Sequence, residues 1–250
     1  MHKVLLLIFI VTSLSYSQNY FNWERHYLPW EIKNIIPFSE NNIIGYDLST
    51  TQKKLYRTEN GGEDWIEMTT ILVGGKLKAL QKIGSRLFFL GIDNNQKALL
   101  YYSDNLGVNR TKVDLSVTGE ITKLYEVHDE VFAYVQKSQE LLISSDLGVS
   151  WSNYLNLPAE TNSVEISTNG VIYIHVGTEI KRFDGFPDNW SNIYVQEPVF
   201  SGEICAIEDS LLLLYNGDKH NYSIDRGENW GGNILPYENP EIRKNGNLGF

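Results

Sequence analysis

One eight-residue pattern, Ser/Thr-x-Asp/Asn-x-Gly-x-x-Trp, returns along the chain at an even spacing. It reads Thr58-Glu59-Asn60-Gly61-Gly62-Glu63-Asp64-Trp65, then Ser144-Ser145-Asp146-Leu147-Gly148-Val149-Ser150-Trp151, then Ser223-Ile224-Asp225-Arg226-Gly227-Glu228-Asn229-Trp230. A weaker copy runs from Ser103 through Asn105 and Gly107 to Arg110, with Arg in place of Trp. A remnant from Phe183 to Trp190 keeps the Trp and puts Pro187 where glycine belongs. The closing residues, 65, 110, 151, 190 and 230, stand 45, 41, 39 and 40 residues apart. A period near 40 residues requires a repeat architecture, in which each unit buries its apolar face against its neighbours.

The sequence between copies is strand-like. In the third repeat ITKLYEV, VFAYVQ, ELLISS and WSNYLNL are short alternating or continuously apolar runs, broken by turns such as His128-Asp129-Glu130. The fourth repeat reads SVEIS, VIYIHV, EIKRF and WSNIYV, with a hairpin turn at Thr168-Asn169-Gly170. The other three repeats divide the same way. Plentiful Tyr and Trp, and only 2 Met, fit strands better than helices. Four strands per unit, five times over, predict an all-β β-propeller of four-stranded blades: five full repeats and a partial sixth.

The pattern lies between the third and fourth strand of each repeat, so it must close a hairpin. The Asp or Asn at its third position can accept backbone N–H bonds across its own turn, and the Ser or Thr hydroxyl adds another. Glycine at the fifth position permits a positive φ. The Trp opens the next strand and covers the hairpin. Thr58, Asn60, Gly62 and Trp65, with Ser103, Asn105 and Gly107, are therefore expected to be structural. So are Ser144, Asp146, Gly148 and Trp151, and Ser223, Asp225, Gly227 and Trp230. A calcium loop needs more oxygen ligands and a terminal Glu. No metal or cofactor is expected.

On these residues the motif resembles the Asp-box, or BNR repeat, of sialidases, sortilin-type ectodomains, some endoglucanases and photosystem assembly factors. The resemblance covers roughly Ile32 to Pro236. It implies a propeller whose boxes are structural hairpins, distant from the functional face, and it leaves activity open. It also implies what a sialidase site would need: an arginine triad, a Tyr nucleophile with a Glu partner, and an acidic proton donor. Of seven arginines, Arg57, Arg110, Arg182 and Arg226 lie in or beside the boxes, at the wrong end of the blade. Only Arg25, Arg86 and Arg243 remain, and the Arg-Ile-Pro sequence near the start of sialidases is absent. Sialidase activity is disfavoured.

The ends bear on closure of the ring. Asn22-Trp23-Glu24-Arg25-His26-Tyr27-Leu28-Pro29 resembles Ser150 to Pro158, so Trp23 can open an outer strand with no blade of its own. Glu241 to Phe250 compares with the hairpin from Glu165 to Ile174. One blade completed by both ends is the expectation. Its third strand and box are missing, so truncation after Phe250 is expected. At the other end, His2-Lys3, the apolar run Val4 to Val11 and the small residues before Ser17 form a secretory signal peptide, cut after Ser17. The apolar run is too short to span a bilayer. The domains are thus a leader at 1–17 and a propeller at 18–250, secreted or periplasmic. The lone Cys205 reads as a small core hydrophobe and rules out a disulfide framework.

A net charge of −10, or −11 once Lys3 leaves with the leader, excludes broad capture of nucleic-acid phosphates. No G-x-S-x-G elbow, H-E-x-x-H, P-loop or dinucleotide fingerprint occurs. The five histidines are dispersed, and His175, among apolar neighbours, reads as a wall or core residue. A two-carboxylate glycosidase needs only two acids across a cleft. Asp47, Asp93 and Asp218 on second-to-third-strand loops, and Glu120 and Glu203 at inter-repeat connections, are its candidates. With 31 acidic residues in the chain, solvated loop acids are the better account. Tyr101, Tyr102, Tyr173, Tyr215 and Trp30 are candidate sugar or peptide platforms. The expected function is a non-catalytic propeller that binds or scaffolds a protein or glycan. The alternative is a glycoside hydrolase of the Asp-box type.

Overall fold

A computed structural model describes Pro29 and residues 32–49, 53–69, 71–185, 189–195, 203–208, 211–216 and 219–233. The leader, the segment at 22–28 and the hairpin expected at 241–250 lie outside the described residues.

The described elements are all strands. The first sheet holds β1 (Asn34–Pro37), β2 (Ile43–Asp47), β3 (Lys54–Thr58) and β4 (Ile66–Glu67). The second holds β5 (Ile71–Leu72), β6 (Gly75–Ile83), β7 (Arg86–Asp93), β8 (Ala98–Ser103) and β9 (Thr111–Val113). The third holds β10 (Ile121–Val127), β11 (Glu130–Val135), β12 (Glu140–Ser144) and β13 (Ser152–Asn156). The fourth holds β14 (Thr161–Ile166), β15 (Ile172–Val176), β16 (Glu179–Gly185) and β17 (Asn189–Val195). The fifth holds β18 (Glu203–Glu208), β19 (Leu211–Asn216), β20 (Lys219–Ser223) and β21 (Gly231–Asn233). Each sheet is an antiparallel meander in chain order, the form of a propeller blade. The chain divides into two compact units, one taking in the first two sheets and the other the last three.

The four strands read in each repeat all appear, and one more does. β5 pairs with β6 through Ile71↔Lys76 and Leu72↔Gly75, so the second sheet has five strands. Two residues and a Val73-Gly74 turn are too short to carry a period, which is why the sequence reading passes over them.

Strand position explains the apolar patterns. The second strands β2 and β11 are buried almost throughout. The innermost strand β10 alternates instead, with Lys123 between the buried Ile121 and Leu124. The first unit's core gathers Ile44, Leu55, Leu77, Leu87 and Phe89. In the second unit Tyr125, Phe132, Leu141, Val164 and Ile174 form one cluster, and Tyr173, Ile180, Ile204 and Ala206 another. Cys205 departs from the sequence reading. It is half-buried between buried Ile204 and Ala206, because strand alternation turns it to the opposite face.

Candidate functional site

The recurring motif closes the hairpin from third to fourth strand in the first, second, third and fifth sheets. Its hydroxyl is fully buried and does the same work each time. Thr58 Oγ1 accepts from Gly62 N at 2.9 Å, Ser103 Oγ from Gly107 N at 2.8 Å, Ser144 Oγ from Gly148 N at 2.8 Å and Ser223 Oγ from Gly227 N at 2.7 Å. Each hydroxyl then donates to the third-position side chain, as Ser144 does to Asp146 Oδ1 at 2.7 Å. That oxygen also takes the amide of the seventh residue, at 2.8 Å for Ser150 and 2.8 Å for Asn229. With its acceptors so used, the motif is a turn rather than a ligand cage. The hydrogen bonds from Ser150 hold the Asp146 carboxyl down at about 2, and those from Asn229 lower Asp225 likewise.

Two features of the turn are not evident in the pattern. The fourth residue is left-handed as well as the fifth: Leu106, Leu147 and Arg226 have φ of 54°, 54° and 60°. The Trp also stands just before the fourth strand rather than inside it, where Trp151 Nε1 donates to Gly148 O at 3.0 Å. Arg110 serves as the Trp's substitute. Its Nε donates to Gly107 O at 3.4 Å, and its guanidinium lies 4.1 Å above the Phe89 ring. In the remnant, Phe183 pairs with Trp190 across β16 and β17, their rings 5.0 Å apart.

The described candidate acids Asp47, Asp93 and Glu120 lie away from the motif hairpins, at the other ends of their sheets. Asp47, at the end of β2, is buried rather than solvated. It accepts from Ser49 Oγ at 2.6 Å and Ser49 N at 2.8 Å and pairs with Lys33 Nζ at 2.9 Å. Those bonds, Ser49's first, hold its carboxyl at about 2. Asp93 caps its own turn, accepting from Asn95 N at 2.8 Å. Glu120 is half-buried. Asp218 and the Glu203 side chain lie outside the described residues. Of the aromatic candidates, Tyr101 and Tyr173 are core residues at 6% and 0% exposure, and the Tyr101 hydroxyl donates to Val73 O at 2.8 Å. Tyr102 is half-buried under the Arg86 guanidinium at 4.2 Å. Trp30 and the Tyr215 side chain lie outside the described residues. His175 is buried as expected, and burial pushes its pKa down.

One cluster escapes the sequence reading. Four side chains of the third sheet bind the inner strand of the fourth. Lys123 pairs with Glu165, and the Tyr125 hydroxyl donates to the Val164 carbonyl. Tyr134 Oη donates to Thr161 O at 2.7 Å, while Gln139 Oε1 accepts from Thr161 N at 2.9 Å. Lys123 Nζ also lies 4.9 Å from the Tyr125 ring. A tyrosine beside a glutamate is what a sialidase-type nucleophile would require. Here burial, and then the Glu165 charge, push the Tyr125 phenol well above its ordinary range, so it stays protonated and holds two sheets together. The signal was a charge set among apolar residues, Lys123 in ITKLYEV and Glu165 in SVEIS.

Among the described residues no group of three or more His, Cys, Asp or Glu could hold a metal ion, and no helix is long and apolar enough to cross a membrane.

No protein-family model matches the chain, and no curated protein matches it. Among solved structures it is similar to the GH74 xyloglucanase from Xanthomonas campestris, with 16% identity over 81% of this chain and 38% of that one, at a TM-score of 0.56. It is similar to YCF48 from Cyanidioschyzon merolae, with 14% identity over 77% of this chain and 66% of that one, at 0.51. The Niastella koreensis GH74 enzyme follows, with 18% identity over 76% of this chain and 29% of that one, at 0.50. The chain therefore spans only 29–38% of the two GH74 chains and 66% of the YCF48 chain. At these identities the likeness establishes the fold alone: an all-β propeller architecture of antiparallel blades.

Proposed function

We propose that this chain is an Asp-box propeller that is exported and acts as a non-catalytic binding or scaffold module for a protein or glycan. It would engage its partner through the face opposite the motif hairpins. One observation carries the reading. Among the described residues, the carboxyl groups displaced from their usual range, Asp47, Asp146, Asp184 and Asp225, are all displaced downward. Each is held ionised by local donors, whereas a glycosidase acid must be pushed up to carry a proton near neutrality. The carboxylates thus serve turns and ion pairs.

The alternative is a glycoside hydrolase of the Asp-box type, with Asp93 and Glu120 as its described candidates. The mature chain on a glycan array, in a cross-linking pull-down, and in a reducing-end assay on xyloglucan and related polysaccharides separates the two. Saturable binding without turnover is the expected result. Turnover that falls in Asp93→Asn or Glu120→Gln would establish the alternative, and an empty array with an empty pull-down would remove the binding reading.

A further inference from the structure

The inner strands carry a β-bulge near the end that lies away from the motif hairpins. In the second sheet Leu77 stands opposite Gly91 and Ala79 opposite Leu90, so Lys78 is an extra residue. Thr122 in the third sheet and Asn162 in the fourth are extra in the same way. In the first sheet Lys33 N donates to Tyr46 O at 3.2 Å, although Asn34 already stands opposite Tyr46. A bulge re-aims the side chain it adds and disrupts the ladder beside it. All four added residues are exposed. In the second unit they are neutral, Thr122 and Asn162. In the first unit they are lysines.

Positive charge gathers at that end of the first unit. Lys76 is exposed one residue before the buried Leu77, as Lys78 is one residue after it. Lys53, from the loop between β2 and β3, donates through Nζ to the Leu77 carbonyl at the bulge. Three lysines thus converge on Leu77. Asp47, at the same end, is engaged by Lys33 and by both donors of Ser49, and Asp93 accepts from Asn95 N. In a chain of net charge −10, 7 of the 14 lysines fall between residues 33 and 97. Cations gathered in this way on an acidic chain are the complement of an anionic partner.

The turn beside them narrows the partner's chemistry. The hairpin from β5 to β6 precedes Lys76, and its turn residue Val73 is 80% exposed. The Tyr101 hydroxyl donates to Val73 O at 2.8 Å, which ties the turn to the sheet. An aliphatic side chain is therefore held out three residues from Lys76. It matches an apolar side chain of a peptide. A sugar ring stacks on an aromatic face, and Tyr101 is buried.

We infer that Lys53, Lys76 and Lys78, with Val73 beside them, bind an acidic peptide segment of a partner protein. Its carboxylates meet the lysines, and an apolar residue covers Val73. The inference rests on the binding role proposed above and names the partner chemistry for one part of that face.

Fluorescence anisotropy tests it, using the mature chain and a fluorescein-labelled octapeptide that alternates Glu and Val. Saturable binding is expected. It should weaken about tenfold or more in the double variant Lys76→Gln/Lys78→Gln, whose urea midpoint should match the unaltered chain because both side chains are exposed. It should also weaken as salt rises from about 50 to about 500 mM. Val73→Ser should weaken this peptide and leave one alternating Glu and Ser unchanged. Failure of both peptides to bind would overturn the inference, as would binding that the double variant does not alter. Polygalacturonate bound through the same lysines while both peptides fail would assign them to an acidic polysaccharide and overturn the peptide. A partner captured equally by the double variant, on the array or in the pull-down, would overturn this inference and leave the proposed function standing. An empty array and pull-down would remove that function as well.

Discussion

Replacing Gly227 by alanine places two burdens on one methyl group. The backbone there has φ of +89°, where an L side chain costs about 1–2 kcal/mol. The added Cβ would also stand 2.5 Å from Ile193 Cδ1, 2.8 Å from its Cβ and 3.1 Å from its Cγ1. Ile193 is β-branched and held in β17, so it yields poorly, and overpacking of this kind costs about 1–3 kcal/mol. Together these give about 2–5 kcal/mol. Gly177, in the same compact unit, is the control. Its φ is +59° and an added methyl would meet nothing within 4 Å, so Gly177→Ala carries the backbone burden alone, about 1–2 kcal/mol. Urea and thermal unfolding of the two variants measure the difference. At about 2–4 °C per kcal/mol for a chain of this size, Gly227→Ala should melt several degrees below Gly177→Ala. Equal losses would refute the claim that glycine at the motif's fifth position is needed for space as well as for φ.

Three further outcomes follow from the same contacts. Asp146 has its carboxyl lowered to about 2 from 3.8 in the fold, so its contribution is complete above 3.8 and is lost as pH falls toward 2. Asp146→Asn should flatten that part of the acid-unfolding curve, with a loss of stability that is larger at pH 7 than at pH 2. His175 has its pKa lowered from 6.5 by burial, so its contribution is complete above pH 6.5 and declines as pH falls below it; His175→Gln should remove that slope in urea midpoints measured between pH 7.5 and 5. Glu165 is buried while Lys123 is 41% exposed, so Lys123→Met strands a buried carboxylate and should cost roughly 2–4 kcal/mol. Adding Glu165→Leu should recover most of that loss, and a double variant as unstable as the single would show that the pair is not what joins the two sheets.

The sequence located the strands with little error because strand and turn chemistry are local. The hairpin at Thr168-Asn169-Gly170 forms as read, with Gly170 N donating to Ser167 O at 3.0 Å. The runs ITKLYEV and VIYIHV contain β10 and β15 almost whole. The candidate site was less legible. Asp47 lies on a loop edge in the sequence, yet Lys33, 14 positions earlier, pairs with it, and the expected solvated acid is a buried carboxylate held by an exposed lysine. The aromatic candidates Tyr101 and Tyr173, read as platforms for a sugar or peptide, are buried in the core.

What the amino-acid sequence determined by itself is the repeat and the turn that marks it. A Ser or Thr hydroxyl, an Asp or Asn oxygen and a glycine find all their partners within eight residues, so their types and spacing are enough. What only the tertiary structure decided is how one repeat meets the next. The Lys123–Glu165 pair joins residues 42 positions apart, and Trp230 reaches Ile193 across 37. Such partners are chosen by which sheet faces which, and a hydrogen-bond donor carries no mark in the sequence of the distant carbonyl it will find.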